Sequence, residues 1–226
     1  MKKYNVISLF LLILLSVWMT GCMNNNDSNV NETYYGSGNI VSQNRSVGEC
    51  TGINIRYAGN VYLSQGDLQS VRVEADDNII NNVKTNADGR ILNAGLDDGS
   101  YSNVTVRIYV TLKTIDHVTI QGAGNITAEN SLVCDQLYCL INGAGDINLN
   151  GNANNLTCGI NGAGNISAFN FPVKTCNARV NGTGNCTVNV SEDLDAAISG
   201  VGNIIYDGNP KQVRSTVSGV GKITRK

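Results

Sequence analysis

Hydrophobic and polar residues alternate along most of the second half of the chain. From residue 137 to residue 149 every second residue is apolar or glycine, and the same pattern starts again at Leu156. A period of two is typical of a β-strand with one buried face and one face in solvent. Because no stretch shows the 3.6-residue period of an amphipathic helix, the pattern predicts an all-β protein.

A glycine-rich phrase recurs within this alternation. It reads Gly-x-Gly, then Asn, Asp or Lys, then Ile or Cys, and successive copies begin 18 to 21 residues apart. An outlying copy at residues 36–40 opens the domain. The paired glycines of the six regular copies are Gly122 and Gly124, Gly143 and Gly145, Gly162 and Gly164, Gly182 and Gly184, Gly200 and Gly202, and Gly219 and Gly221.

A repeat of this length has room for two short strands and their turns, which fits one coil of a parallel β-solenoid. Leucine-rich repeats have a helical half that is missing here, and propeller blades need about twice the length. We therefore predict a single-stranded parallel β-helix, or β-solenoid. The analogy with parallel crossover connections favours a right-handed coil.

Stacking of equivalent residues explains the phrase. The glycines would allow close backbone approach or a positive φ, and the flanking Asn side chains would hydrogen-bond in ladders. We interpret both features as structural and not as parts of a ligand-binding loop. The N-terminal half alternates less regularly and predicts broader, looser coils. In the last repeat, Lys222 in the Asn column and Arg225 in an inward column predict an end cap.

The first residues resemble a bacterial lipoprotein signal. Lys2 and Lys3 precede an apolar run of 14 residues, 6–19, which is too short for a typical membrane span. Thr20-Gly21-Cys22 resembles the lipobox, which implies cleavage before Cys22 and acylation of Cys22. Met23 at the next position resembles the pattern for delivery to the outer membrane. An ordinary secretory signal with an incidental cysteine stays open as the alternative.

The chain thus divides into a signal peptide (1–21), an acylated cysteine with a flexible Asn-rich linker (22–35) and a β-solenoid domain (36–226). Removing Lys2 and Lys3 lowers the Lys and Arg count from 16 to 14 against 18 Asp and Glu, a formal charge of −4. A mildly acidic chain has no electrostatic basis for binding nucleic acid.

An even number of cysteines follows Cys22, which in an exported protein raises the question of disulfides. Most of them fall on the apolar side of the alternation, where a free thiol packs as a small hydrophobic group. We favour buried thiols and leave disulfides open. No zinc site is expected, because no Cys-x-x-Cys pair or histidine partner is present. The six cysteines are Cys50, Cys134, Cys139, Cys158, Cys176 and Cys186.

The sequence predicts no catalytic, metal-binding or cofactor-binding residue. His117 is the only histidine, and alternation would turn it away from Asp116, so we expect a surface side chain. The acidic turns at 76–78 and 97–99 lack the spacing of a calcium loop and are expected to be solvated. Gly-x-Gly lacks the helix of a dinucleotide-binding motif. Charges that a β-helix lyase or hydrolase would need are scattered: Arg179, Asp193, Asp195, Asp207 and Arg214.

The order of these segments resembles one protein family. "GSGNIVSQNRSVGECTGINIRYAGNVYLSQGDLQSVRVEADDNI", then a less regular strand region and serial "GAGNI" phrases, are similar to the auto-transporter adhesin head, or head GIN domain, family over about residues 36–226. That family is a domain of unknown function on exported proteins of Bacteroidetes-type bacteria. The resemblance implies a β-solenoid fold and an adhesin-like role, and it supplies no catalytic residues.

Together these features predict a non-enzymatic lipoprotein of the cell envelope whose solenoid binds glycan or protein at the bacterial surface. It would contact the membrane through the acyl group on Cys22 and need no cofactor. Two alternatives stay open. One is a polysaccharide-active lyase or hydrolase on the same scaffold, and the other is an envelope structural protein that self-associates into homo-oligomers.

Overall fold

Strands dominate residues 33–226, the part of the chain that the computed structural model describes. A single turn of 3₁₀ helix, Ile80–Asn82, interrupts them, and no helix in this part is long and apolar enough to cross a membrane. The strands are β1 (Thr33–Tyr35), β2 (Ile40–Arg45), β3 (Gly52–Ile55), β4 (Asn60–Gln65), β5 (Ser70–Asp76), β6 (Val83–Asp88), β7 (Ile91–Leu96), β8 (Ser100–Ser102), β9 (Val106–Leu112), β10 (His117–Ile120), β11 (Ile126–Ala128), β12 (Leu132–Ile141), β13 (Ile147–Asn148), β14 (Gly151–Ile160), β15 (Ile166–Val180), β16 (Thr183–Ile198), β17 (Val201–Asp207), β18 (Gln212–Val217) and β19 (Val220–Arg225).

From β10 onward the chain winds into about six stacked parallel coils. Each strand pairs in parallel with its equivalent in the next coil, as β10 does with β12 and β12 with β14. The predicted β-solenoid is therefore confirmed. Consecutive partners in this register form a column with at most 1% exposure: Ile141, Ile160, Val180 and Ile198.

The glycine phrases lie one above another at a bend in each coil. Gly145 has a φ of +145°, and a Cβ there would lie 1.7 Å from the carbonyl oxygen of Gly124 in the preceding coil. A Cβ at Gly143 would lie 1.9 Å from the carbonyl oxygen of Gly122. The later copies repeat both contacts. Backbone packs on backbone in both glycine columns, so no side chain fits there.

Polar side chains beside the bend form two hydrogen-bonded ladders, as the sequence predicts. In one, the Asn161 amide donates to Asn142 at 2.8 Å, and Asn181 donates to Asn161 at 2.9 Å. In the other, a side-chain oxygen accepts the backbone N–H of the equivalent residue in the next coil. Asp146 accepts in this way from Asn165, and Asn165 accepts from Asn185. The second ladder thus satisfies backbone N–H groups at each bend.

The N-terminal half is not simply a set of looser coils. β3 and β4 pair in parallel with β10 and β11, but β7 and β9, which come later in the sequence than β3 and β4, lie on their outer side. β5 and β2 extend the sheet beyond β9 in antiparallel pairs, and β6 does so beyond β7. The expectation of broader coils is corrected: two parallel coils are present in inverted order, and antiparallel strands close this end.

The bend of the coils contains one copy of the glycine phrase that was not predicted, and the predicted outlying copy at 36–40 lies elsewhere. Ala58 bridges Ala123 in parallel, and the carbonyl of Gly59 lies against Gly124, so residues 57–61 are a copy that lacks the first glycine. The outlying phrase at 36–40 instead joins an acidic turn, where the N–H of Gly38 donates to Asp76. β1 lies within the predicted linker and pairs with β8.

The two ends of the solenoid differ in how the core is covered. Near the antiparallel end, Ile79, Ile80 and Val83 are at most 2% exposed. In the last coil, Val217 is 45% exposed, although its partner in the preceding coil, Ile198, is 1% exposed. Within residues 33–226 the core is therefore covered at one end and open at the other.

Candidate functional site

An arginine and two tyrosines line up on the outer face of the N-terminal strands. Alternation in β4, β5 and β9 turns Tyr62, Arg72 and Tyr109 outward, while the residues on either side of each are buried. The strand register places Arg72 opposite Tyr109, and Tyr109 opposite Tyr62. We call these three residues the Arg–Tyr stack.

Close aromatic and polar contacts hold the Arg–Tyr stack together. The rings of Tyr62 and Tyr109 are 5.0 Å apart between centroids and 19° from parallel, and the guanidinium of Arg72 lies 4.1 Å from the centroid of Tyr109. Glu74 accepts hydrogen bonds from Arg72 and, at 3.2 Å, from the hydroxyl of Tyr109. These are the geometries of aromatic stacking and of a cation–π contact, so the three side chains support one another.

Neighbouring charges fix the protonation states in this region. The hydrogen bond from Arg72 lowers the pKa of Glu74 below its ordinary value, which keeps this carboxyl ionised. Burial, together with the negative charge of Glu74, raises the pKa of Tyr109 and keeps its phenol protonated. At neutral pH the guanidinium of Arg72 therefore lies beside the Glu74 carboxylate and the protonated phenol of Tyr109.

A recess of about 300 Å³ opens beside the stack. A second recess of about 370 Å³ shares Asn44 and Ser70 with it. Hydroxyl, amide and charged groups around aromatic rings suit a hydroxyl-rich ligand better than an apolar one. The first recess is lined by Asn44, Tyr62, Ser64, Ser70, Arg72, Tyr109, Val110, Thr111 and Glu129.

Comparison with known families places the Arg–Tyr stack in a named domain. The family model described as "Putative auto-transporter adhesin, head GIN domain" matches residues 49–210, which include all three residues of the stack. The chain belongs to this family. The family is named for an adhesin and not for an enzyme, which fits a protein of the cell envelope or cell surface.

Solved structures share the architecture of this head GIN domain. A "putative adhesin" from Bacteroides fragilis is 25% identical, with a TM-score of 0.71 over 85% of this chain and 100% of its own. A "putative lipid binding protein" and a "putative adhesin", both from Parabacteroides distasonis, are 18% and 20% identical, with TM-scores of 0.55 and 0.53. Each is matched over its full length and over 86% of this chain, and at this identity they show the shared fold alone. No functionally curated protein matches the sequence.

His117 lies on the surface of the head GIN domain, as expected, and stacks on Tyr138 with ring centroids 5.0 Å apart. The expectation that Asp116 points away from it is wrong, because the Asp116 carboxylate lies 2.8 Å from His117 Nδ1. β10 begins at His117, so Asp116 precedes the strand and does not follow its alternation.

All six cysteines of the head GIN domain are free thiols, and five are buried. Cys139 and Cys158 are partners in adjacent coils, and Cys158 Sγ lies 3.4 Å from Cys186 Sγ. Burial raises the pKa of the Cys139 thiol well above its ordinary value. The contact with Cys158, together with burial, does the same for Cys186. These thiols pack as small hydrophobic groups, in agreement with the alternation.

The two acidic turns are more than solvated connections. Asp76 is 1% exposed and accepts hydrogen bonds from the N–H groups of Gly38 and Thr105. Asp97 accepts a hydrogen bond from Tyr101, and burial together with that bond raises the pKa of Tyr101 to about 12. Among residues 33–226 no three His, Cys, Asp or Glu side chains are grouped so that they could hold a metal ion.

Some of the charged residues expected to be scattered do meet. Asp195 Oδ1 lies 3.0 Å from Arg179 Nη2, and Asp195 Oδ2 lies 3.8 Å from Arg214 Nε. Stacking of coils brings them together, since Asp195 and Arg214 are partners in adjacent strands. This cluster joins one carboxylate to two guanidinium groups.

The Arg–Tyr stack is not among the sites that the sequence predicts. A signal for it exists, because Tyr62 in "NVYLSQ" and Tyr109 in "VRIYVTL" occupy the polar positions of alternating segments, where an aromatic side chain is partly exposed. Cys22 and the predicted signal peptide lie outside the described residues.

Proposed function

We propose that this protein is a non-enzymatic, lipid-anchored, adhesin-like protein of the cell envelope that binds a glycan at the Arg–Tyr stack. Membership of the head GIN domain family supports an adhesin-like role. The observation that carries the choice of ligand is the recess beside the stack, where two tyrosines and one arginine are surrounded by hydroxyl, amide and carboxylate groups.

The chemistry of this recess matches a sugar chain. Sugar hydroxyls can donate to Glu129 and accept from Arg72, while Ser70 and Thr111 can do both. The C–H groups of a sugar ring can pack on the partly exposed tyrosine rings, of which Tyr109 contacts both Tyr62 and Arg72 while Tyr62 contacts only Tyr109 within the stack. Glu74 holds Arg72 and Tyr109 in place, so the recess is formed before the ligand arrives.

The protonation of Glu74 argues against this carboxyl as the acid of a glycoside hydrolase. A glycoside hydrolase needs a carboxylic acid whose pKa is raised so that it can protonate the leaving oxygen. The hydrogen bond from Arg72 lowers the pKa of Glu74 instead. Glu74 is therefore suited to be a fixed acceptor that positions its neighbours.

A glycan array probed with residues 23–226, followed by calorimetry on the best-bound glycan, tests the proposal. We expect the double variant Arg72→Ala/Tyr109→Ala to bind at least about tenfold more weakly. Tyr138→Ala is the matched control, because Tyr138 is also an outward tyrosine in a stacked pair and should not affect binding. A protein that binds no glycan, or equal affinity of all three proteins, would contradict the proposal.

The lipid anchor is a separate part of the proposal and has its own test. Several acyl chains on Cys22 would hold the protein at a membrane far more firmly than a single chain. Radiolabelled palmitate should enter the wild-type protein and not the Cys22→Ala variant, and the wild-type protein should fractionate with the outer membrane. Equal labelling of both proteins refutes acylation at this residue.

A further inference from the structure

The last coil of the solenoid, formed by β18 and β19, presents a sheet edge that no strand among residues 33–226 covers. Among the described strands, β18 pairs with β16 and β19 pairs with β17, each on one side only. The buried columns continue into this coil but are not covered there. Val213 is 40% exposed, although its partner Leu194 in the preceding coil is 0% exposed. Such an edge combines free backbone groups with an apolar surface.

The charge of this end is opposite to that of the coils beneath it. Residues 114–207 contain eight Asp and Glu but only two basic residues, Lys174 and Arg179. Residues 208–226 contain no Asp or Glu and five basic residues: Lys211, Arg214, Lys222, Arg225 and Lys226. Positive charge is therefore concentrated around the open edge.

Carboxylates of the preceding coil already pair with basic side chains of the last coil. Arg214 Nε lies 3.8 Å from Asp195, and Lys226 Nζ lies 3.5 Å from Asp207. Lys211 Nζ similarly lies 3.8 Å from Glu192. Lys222 and Arg225 have no carboxylate within 4.0 Å in residues 33–226. The last coil thus already pairs with an acidic, alternating strand on its inner side and has cations left over.

We propose that the outer edge of β18 and β19 is a docking surface for an extended acidic polypeptide segment of another protein. The segment would add as a strand, with its backbone bonded to the free edge and its apolar side chains on Val213 and Val217. Its carboxylates would pair with Lys222 and Arg225. This surface is independent of the proposed glycan site, which lies on β4, β5 and β9.

Charge argues against a second copy of this chain as the occupant. Two copies joined through this edge would bring ten basic side chains together with no acidic residue from positions 208–226 between them. An acidic partner is attracted by the same charges, and salt should weaken its binding.

A peptide with the sequence of residues 192–207, labelled with a fluorophore, is the probe. It carries the acidic residues of the coil that already pairs with β18 and β19. Fluorescence anisotropy with residues 23–226 should show saturable binding that weakens in high salt. A control peptide with Asn and Gln in place of Asp and Glu should bind at least about tenfold more weakly.

Charge-reversal variants locate the surface. Lys222→Glu/Arg225→Glu should weaken peptide binding by at least about tenfold. The matched control, Lys113→Glu/Lys174→Glu, reverses two exposed lysines elsewhere and should bind as wild type does. All four side chains are exposed, and circular dichroism on each variant verifies that the fold is intact.

Four results would overturn the proposal. The first is no binding of the acidic peptide, and the second is equal binding of the acidic and neutral peptides. The third is a concentration-dependent dimer in sedimentation that Lys222→Glu/Arg225→Glu abolishes, because the edge would then bind a second copy. The fourth is binding to phosphatidylglycerol vesicles but not to the peptide, because the edge would then contact a membrane.

Discussion

The regular coils from β10 to β19 and the mixed strands from β2 to β9 use the same alternation but differ in what lies beside each residue. In the regular coils a residue meets its own equivalent above and below, so Asn142 meets Asn161 and Gly145 meets Gly124. In the mixed strands β5 instead runs antiparallel to β9, which allows Arg72 to lie on Tyr109. Repeated stacking of equal residues stabilises the fold. Different side chains can combine into a recognition site where the repeat stops.

The largest effect is expected in the glycine columns of the regular coils. Gly145→Ala would place a Cβ 1.7 Å from the carbonyl oxygen of Gly124, at a φ of +145°. Because backbone would have to move in two coils, we expect a loss of more than about 4 kcal/mol in the free energy of unfolding, or no folded protein. Urea unfolding measures it.

Gly48→Ala, in the mixed region, is the control for this prediction. Its added Cβ would meet only the Cβ of Ala87, at 3.9 Å. We expect a change within about 1 kcal/mol. A similar loss for both variants would remove the special role of the glycine columns.

A smaller effect is expected in the thiol-lined part of the core. Cys158→Ser would place a hydroxyl at a position that is 1% exposed, which should cost about 1–3 kcal/mol of unfolding free energy. Cys134→Ser, at a half-buried position, should cost less. Thermal or urea unfolding under reducing conditions makes the comparison, and an equal cost at both sites would contradict it.

The two side-chain ladders should contribute different amounts to the free energy of unfolding. Asn165→Ala removes the oxygen that accepts the backbone N–H of Asn185 at 3.1 Å, so we expect a cost of about 1–2 kcal/mol. Asn181→Ala removes only exposed bonds between side chains and should cost under about 1 kcal/mol. Urea unfolding should rank them in this order, and the reverse order would show that the second ladder does not serve the backbone.

The smallest effect on the free energy of unfolding is expected from the ion pair of Glu74 in the mixed region, and it should depend on pH. The pKa of Glu74 is lower in the folded protein than its ordinary value of 4.5, so its contribution is present above that pH and lost as pH falls through the folded pKa. Glu74→Gln should lower the unfolding free energy by under about 1 kcal/mol at neutral pH, and the difference from wild type should disappear in acid.

Glu49→Gln is the control for the pH prediction, because Glu49 is exposed and forms no ion pair among residues 33–226. The unfolding free energy of the Glu49→Gln variant should equal that of the wild type at every pH. If the Glu74→Gln difference persists unchanged in acid, the ion pair with Arg72 is not its source.

How far the sequence predicts the structure follows from the same comparison. Constant spacing fixes which residues stack, so the column from Ile141 to Ile198 and the amide ladders could be predicted. The Arg–Tyr stack depends on β9 pairing with β4 and β5, and no repeat relates those strands. The inverted order of the first two coils is likewise a matter of long-range pairing. The contact of Asp116 with His117 depends on where a strand begins, which alternation leaves unspecified.

Hydrogen exchange with and without the glycan selected on the array tests most directly whether recognition lies where the repeat stops. Bound glycan should slow amide exchange in β4, β5 and β9 and leave the strands from β12 to β16 unchanged. Slower exchange confined to β12–β16 would contradict the account, because the regular coils would then be the binding surface.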